Sequence, residues 1–188
     1  AKNLRRTLTL TALLAELGVP MVLALNMHDE AAARGVTVDI PALAEELGIP
    51  VLATVATGGE GIGELTSSLG QARRPGALLH YDADSEADIA RVGEAIARLA
   101  PHPHLAARGL AILYLGGDGE VAAWLEARAG EKFPEIKALR QAASHRTANK
   151  VAALLARERS EAADTLATSV IQRAARSSPL LAQRVGQY

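Results

Sequence analysis

The sequence contains no cysteine. Disulfides, thiolate metal sites and cysteine nucleophiles are therefore excluded. Aromatic residues are almost as scarce, one Trp, one Phe and three Tyr among 188 residues, so the core has to be built from Ala and Leu on helices packed through small aliphatic side chains. Charge of one sign is also missing. Twenty Lys and Arg face 21 Asp and Glu for a net charge of −1, which leaves no global basic field to hold nucleic acid or an anionic lipid surface. Long hydrophobic runs are absent: the most apolar stretches, residues 19–25 and 109–115, fall far short of a membrane span, and the opening Ala1-Lys2-Asn3-Leu4-Arg5-Arg6 is not a signal peptide. Neither a G-x-x-x-x-G-K-[ST] phosphate loop nor a D-x-x-G follows anywhere in the sequence. These absences predict a globular cytosolic chain, with one core or two small ones and no phosphoryl-transfer machinery of its own.

The informative stretch is Pro20-Met21-Val22-Leu23-Ala24-Leu25-Asn26-Met27-His28-Asp29-Glu30. Its apolar run has the composition of a buried parallel strand, and it ends in Asn26 with a carboxylate, Asp29, three positions later. Open α/β sheets bind ligands outside the carboxyl ends of their strands, so Asn26 and Asp29 face a crevice there. A carboxylate accepts two parallel hydrogen bonds, the pattern of guanine's N1–H and 2-amino group, while an Asn amide both donates and accepts. Asn and Asp also cap helices and make turns, so the pattern alone leaves both readings open. A second strand, residues 49–55, repeats the Gly-x-Pro-apolar arrangement and ends in Thr54-Val55-Ala56-Thr57-Gly58-Gly59-Glu60-Gly61. Small residues there let backbone approach a planar ligand, with amides near Ala56 available to a carbonyl such as guanine O6, or form only a flexible β-to-α connection.

Around these strands the pattern is helical. Residues 3–17 place Leu4, Leu8, Ala12 and Ala15 on one face and close on Gly18. Asp39 before Ile40-Pro41 predicts a capped helix ending at Gly48, and another helix covers residues 61–72. Arg73-Arg74-Pro75-Gly76 breaks the composition, dividing the chain into residues 1–74 and 75–188. After the break come helices without strands: one to about residue 99, then 105–115, 120–129 capped by Asp118, 135–159 and 161–176, with Ser178-Pro179 opening a tail. Asp82, Asp84, Glu86 and Asp88, with His80 near, read as caps and first-turn charges rather than a cation site. His102 and His104, between Pro101 and Pro103, read as loop histidines rather than iron ligands.

The runs Asn3-Leu4-Arg5-Arg6-Thr7-Leu8 and Glu16-Leu17-Gly18-Val19-Pro20, leading to Asn26-Met27-His28-Asp29, together with Val55-Ala56-Thr57 followed by Gly59, Gly61 and Ile62, closely resemble the G domain of the ferrous iron transport protein B family. The resemblance is detailed over about residues 1–70. It implies a fold of α/β followed by all-α, a partial Ras-like G domain and a helical regulatory domain. Asn26 and Asp29 would read guanine, Met27 would pack on its face, and Val55, Ala56 and Thr57 would line its O6 side. GTP or GDP is then the expected ligand, met here through its guanine only, with Mg²⁺ expected only with a preceding half of the G domain. The implied partners are that half or another copy of the chain in a homo-oligomer, and the parent's transmembrane iron-conducting domain at the bacterial inner membrane. Two other readings stay open: a non-catalytic helical interaction module with a vestigial base-binding half-domain, and a fragment of another Ras-like GTPase.

Overall fold

The computed structural model describes residues 4–76, 81–148 and 150–173. In chain order its elements are helix α1 (Leu4–Glu16), strand β1 (Leu23–Leu25), α2 (His28–Ala33), β2 (Val36–Val38), α3 (Ile40–Leu47), β3 (Val51–Ala53) and α4 (Ile62–Ser68). They continue as α5 (Ala83–Leu99), α6 (Ala107–Leu115), α7 (Gly119–Ala129), α8 (Phe133–Arg146), α9 (Val151–Val170) and β4 (Ile171–Arg173). The architecture is α/β followed by helices, as the sequence predicts. Local signals start and stop the helices. Asp39 accepts the Ala42 N–H at 3.0 Å while Gly48 takes a left-handed conformation, φ 66°, to end α3. Asp118 accepts the Val121 N–H at 2.9 Å to open α7, and Asp82 accepts those of Asp84 and Ser85 to open α5.

β1 and β3 run parallel in the register Leu23↔Val51, Ala24↔Leu52, Leu25↔Ala53. Leu23 donates to Pro50 and Leu25 accepts from Thr54, so the backbone groups of Leu23 and Leu25 face β3. By alternation those of Val22 and Ala24 face the other edge, where no described strand pairs with β1.

Two apolar cores meet along α1 and α9. Leu4 and Leu8 of α1 pack with Leu25, Val38, Leu43, Leu47 and Val51 around the short strands, and Ala163, Ala167 and Val170 of α9 complete that core. Ala12 of α1 belongs to the second core, where Ile89, Val92 and Ile96 of α5 meet Leu110 and Ile112 of α6, Leu125 of α7, Ile136 of α8 and Leu155 of α9. The apolar face read from the sequence for α1 is the buried one, Leu8 being 1% exposed and Leu10, opposite, 58%.

The joint between the cores is tight at the end of α1. Ala106 donates to the Leu17 carbonyl at 2.8 Å, and a Cβ on Gly109 would stand 2.5 Å from the Glu16 carbonyl oxygen, so glycine lets α6 reach α1. Arg108 fixes the same point: its Nε donates to Glu16 at 2.6 Å and its Nη atoms to Glu86 at 2.7 and 2.9 Å. The Glu16 side chain is 3% exposed. Burial pushes its carboxyl above its ordinary range, against the pull of Arg108. Beside it, burial and then the charge of Glu16 push the Tyr81 phenol up to about 12.

Three features depart from the sequence reading. The expected series of helices without strands ends in a strand, β4, which runs antiparallel to β2 with Val38↔Ile171 and returns the chain to the α/β part. The expected helices over 135–159 and 161–176 are α8 and α9, divided at residues 147–150 rather than at 160, with Ala148 at φ 49°. Glu158, Arg159 and Ser160 continue an unbroken α9, because Ala and Leu around them keep helical propensity high. The stretch 61–72 ends as a helix at Ser68 and tightens into a 3₁₀ turn over Leu69–Gln71. His80, Arg176 and the Ser178-Pro179 tail lie outside the described residues.

Arg108→Ala leaves the Glu16 carboxylate buried without its counter-charge and is expected to cost on the order of 3 kcal/mol near neutral pH in urea unfolding. Because the folded-state pKa of Glu16 is already raised and rises further without Arg108, ionisation then opposes folding; the loss shrinks as pH falls through the raised folded-state pKa toward the ordinary value of 4.5, and Glu16→Gln restores most of the stability near neutrality. Asp82→Ala removes a cap and is expected to cost about 1 kcal/mol. The amides of Ser85 and Asp84 help hold the Asp82 carboxyl down to about 2. This contribution is present above the ordinary 3.8 and is lost as pH falls toward about 2, so the wild-type and Asp82→Ala unfolding midpoints converge in that window.

Candidate functional site

The parallel register brings the carboxyl ends of β1 and β3 side by side, so the loops that follow the two strands are neighbours. Asn26 leaves β1 and points across to the neighbouring loop: its Oδ1 accepts the Ala56 N–H at 3.1 Å and the Thr54 hydroxyl at 3.5 Å. A backbone bond from His28 N–H to the Thr54 carbonyl, 3.4 Å, runs beside it. Met27 between them takes a left-handed conformation, φ 60° and ψ 39°, which for a side chain without local polar compensation is strained and held by these flanking bonds. The turn leaves Met27 40% exposed at the site and starts α2 at His28.

Asp29 lies in the first turn of α2 and is exposed. Helix capping, the ordinary use of an Asp here, is not what it does: α2 has no side-chain cap, and Asp29 makes no hydrogen bond or ion pair within the described residues. Its carboxylate is therefore an uncommitted acceptor beside an amide fixed by the second loop.

That second loop is a closed turn. Val55 N–H donates to the Glu60 carbonyl at 3.0 Å, and residues Ala56–Gly58 form a single 3₁₀ turn between them. Gly61, φ 73°, closes it against the end of β3, where a Cβ would come within 2.2 Å of the Ala53 carbonyl oxygen. Only glycine fits this approach. Val55 is half-buried under the turn, while Ala56 and Thr57 are exposed at the crevice.

The structure thus gathers Asn26, Met27, Asp29, Val55, Ala56 and Thr57 at two adjacent loops. One detail differs from the sequence reading: the Ala56 amide, expected to face a ligand carbonyl, is taken by Asn26. An Asn side chain is long enough to cross the strand spacing, and the amide stands opposite its oxygen. Sequence reasoning also gave no structural part to Thr54 or His28. Thr54 is buried and braces Asn26; the buried Nδ1 of His28 has no partner among the described residues. The only signal for Thr54 was a hydroxyl at the end of an apolar strand.

The other clusters singled out in the sequence have structural work. His102 Nδ1 accepts the amides of His104 and Leu105 at 3.1 and 3.0 Å, and its ring lies 5.1 Å from that of Trp124. Asp82 caps α5, Glu86 holds Arg108, and Asp88 pairs with Arg91 and Arg146. Among the described residues no group of three or more His, Asp or Glu is placed to hold a metal ion.

Both parts of the chain are similar to known proteins. A family model described as ferrous iron transport protein B matches residues 1–69, and one described as the FeoB cytosolic helical domain matches residues 81–172. An Fe(2+) transport protein A/Fe(2+) transporter FeoB fusion protein of Porphyromonas gingivalis is 39% identical over 127 residues, covering 63% of this chain and 15% of that protein. The Fe(2+) transporter FeoB of Escherichia coli is 40% identical over 97 residues, 47% of this chain and 12% of that protein. The matched part of the chain therefore spans only 12–15% of the length of these proteins. A crystal structure of a mutant S. thermophilus NFeoB bound to GDP superposes with a TM-score of 0.77 at 26% identity, over 91% of this chain and 66% of that one. The cytosolic domain of L. pneumophila FeoB gives 0.74 at 25% identity, over 92% and 65%. With both of its parts matched in order, the chain belongs to the ferrous iron transport protein B family, as a piece of its G domain followed by its helical domain.

Proposed function

We propose that the crevice between the β1 and β3 loops recognises the guanine of GTP or GDP. The observation that carries this reading is Asp29: a carboxylate at the mouth of a strand-end crevice that neither caps its helix nor pairs with a cation. Its two oxygens suit the N1–H and 2-amino group of guanine, a pair of parallel donors that adenine lacks. Asn26 is held by Ala56 and Thr54 in an orientation fixed before any base arrives, so its amide adds recognition without paying fresh ordering entropy. Exposed Met27 offers an apolar surface to the face of the base, and Val55, Ala56 and Thr57 line its O6 side. With the Ala56 amide engaged, the Thr57 amide is the donor assigned to O6. The bound GDP of the S. thermophilus neighbour supports a guanine nucleotide as the ligand.

In this proposal residues 1–74 read the base and residues 75–188 form a regulatory helical part of a bacterial ferrous iron transporter, on the cytoplasmic face of the inner membrane. Among the described residues no helix is long and apolar enough to cross a membrane. The open edge of β1 is where the rest of a G-domain sheet, or a second copy, would pair. Phosphate-binding groups, Mg²⁺ and the hydrolytic water belong with that remainder, since these 188 residues contain no phosphate loop.

In the parent transporter, Asp29→Ala is expected to weaken GDP binding by at least about tenfold, the loss of a charge-assisted bidentate contact. Asp29→Asn is expected to move preference toward xanthine nucleotides, whose hydrogen-bonding edge matches an amide in place of the carboxylate. A guanine preference unchanged in the Asn variant, measured by calorimetry with GDP and XDP, contradicts the clamp. The isolated chain is expected to show no GTP turnover; robust hydrolysis would contradict the assignment of phosphate chemistry to the remainder.

A further inference from the structure

The helical part contains a cleft, about 520 Å³, between α8 and the α6–α7 pair. One stripe of α8 lines it, because Phe133, Lys137, Arg140, Gln141 and Ser144 recur at the three- and four-residue spacing of one helix face. Tyr114 of α6 closes the floor. Arg140 and Ser144 are half-buried in the cleft, while Lys137, Gln141 and His145 stand exposed at its rim.

Among the described residues neither cation, Lys137 or Arg140, is paired with an acid. Their helix neighbours three and four positions away are Phe133, Pro134, Gln141 and each other for Lys137, and Ile136, Lys137, Ala143 and Ser144 for Arg140, with no acid among them. Elsewhere on the surface the same spacing is used for neutralising pairs, Glu30 with Arg34 and Arg157 with Glu161. Like charges at this spacing oppose helix stability. Arg140 is also positioned: it is half-buried, with its guanidinium carbon 5.0 Å from the centre of the Tyr114 ring. Glu126 of α7 is the acid whose field reaches Tyr114.

We propose that this cleft is a binding site for a phosphorylated small molecule, its phosphate held by Lys137 and Arg140 and its flat body lying against Phe133. The volume falls in the range of small-molecule sites. Arginine offers a planar fork to phosphate oxygens, lysine a point charge, and Ser144 and Gln141 supply neutral donors beside them. Apolar Phe133 and Ala122 leave room for a ring on the same side. The site is separate from the guanine crevice and shares no residue with it.

Phenyl phosphate, a phosphate joined to one flat ring, is the probe, titrated into the whole chain and followed by calorimetry. Saturable binding that is tighter than for inorganic phosphate, weakens as salt rises, and falls at least about tenfold in Lys137→Gln and further in Lys137→Gln/Arg140→Gln is the expected result. Lys137 is exposed and makes no ion pair among the described residues, so its single variant is expected to unfold at or above the wild-type midpoint, which separates lost binding from lost fold. Asp29→Ala is expected to bind the probe as the wild type does, so this result stands or falls apart from guanine recognition. Vesicles of phosphatidylcholine with phosphatidylglycerol distinguish the source: co-sedimentation that phenyl phosphate displaces and Lys137→Gln abolishes identifies a lipid headgroup as the phosphate. No saturable binding of either probe, or equal binding by the double variant, overturns the proposal.

Discussion

The parallel pairing of β1 with β3 is the constraint on which the site depends. Leu23 against Val51 sets the register, and the register alone decides that Asn26 and Ala56, thirty positions apart in sequence, leave the sheet within hydrogen-bonding distance. Side chains alternate along a strand, so a one-residue slip would turn Asn26 away and leave the Ala56 amide without its oxygen. The core beneath prevents that slip: Leu25 and Val51 are buried against Leu4, Leu8, Leu43 and Leu47, and shifting either strand would expose them. The strain at Met27 follows from the same requirement, because the chain must turn within one residue to send Asp29 to the crevice that Asn26 leaves.

Much of this was legible in residues 1–74. The four-residue recurrence of Leu4, Leu8 and Ala12 marks the buried face of α1, and Asp39, Pro41 and Gly48 bracket α3 because each supplies what a helix end lacks. The two Gly-x-Pro-apolar runs announce adjacent parallel strands, whereas the six residues of the proposed site come from the resemblance of Asn26-Met27-His28-Asp29 and Val55-Ala56-Thr57 to the G-domain family. Asn26's inward bond was not legible. Whether a side-chain oxygen meets a ligand or a neighbouring amide depends on loop positions that no pattern encodes.

The helical part was less readable where its structure depends on distance along the chain. Val36-Thr37-Val38 is too short to declare itself a strand, and its partner β4 lies some 130 residues later. The break between α8 and α9 falls at Thr147–Lys150 and not near Ser160, because a helix yields where a residue adopts positive φ rather than where charges cluster. These two points matter together. α9 serves both cores and β4 hydrogen-bonds to the strand that follows α2, so the helix carrying Asp29 is joined to the helical part by continuous structure: α2, β2, β4 and α9. Arg108 makes a second joint, from α6 to the end of α1.

Guanine recognition by Asp29 is the central claim, and the 2-amino group is its most direct probe. Inosine diphosphate differs from GDP only by lacking that group. Calorimetry on the parent transporter is predicted to show inosine diphosphate binding about tenfold or more weakly than GDP, the value of one hydrogen bond to a charged acceptor. Equal affinities would mean that the Asp29 carboxylate does not read the base, and would contradict the account.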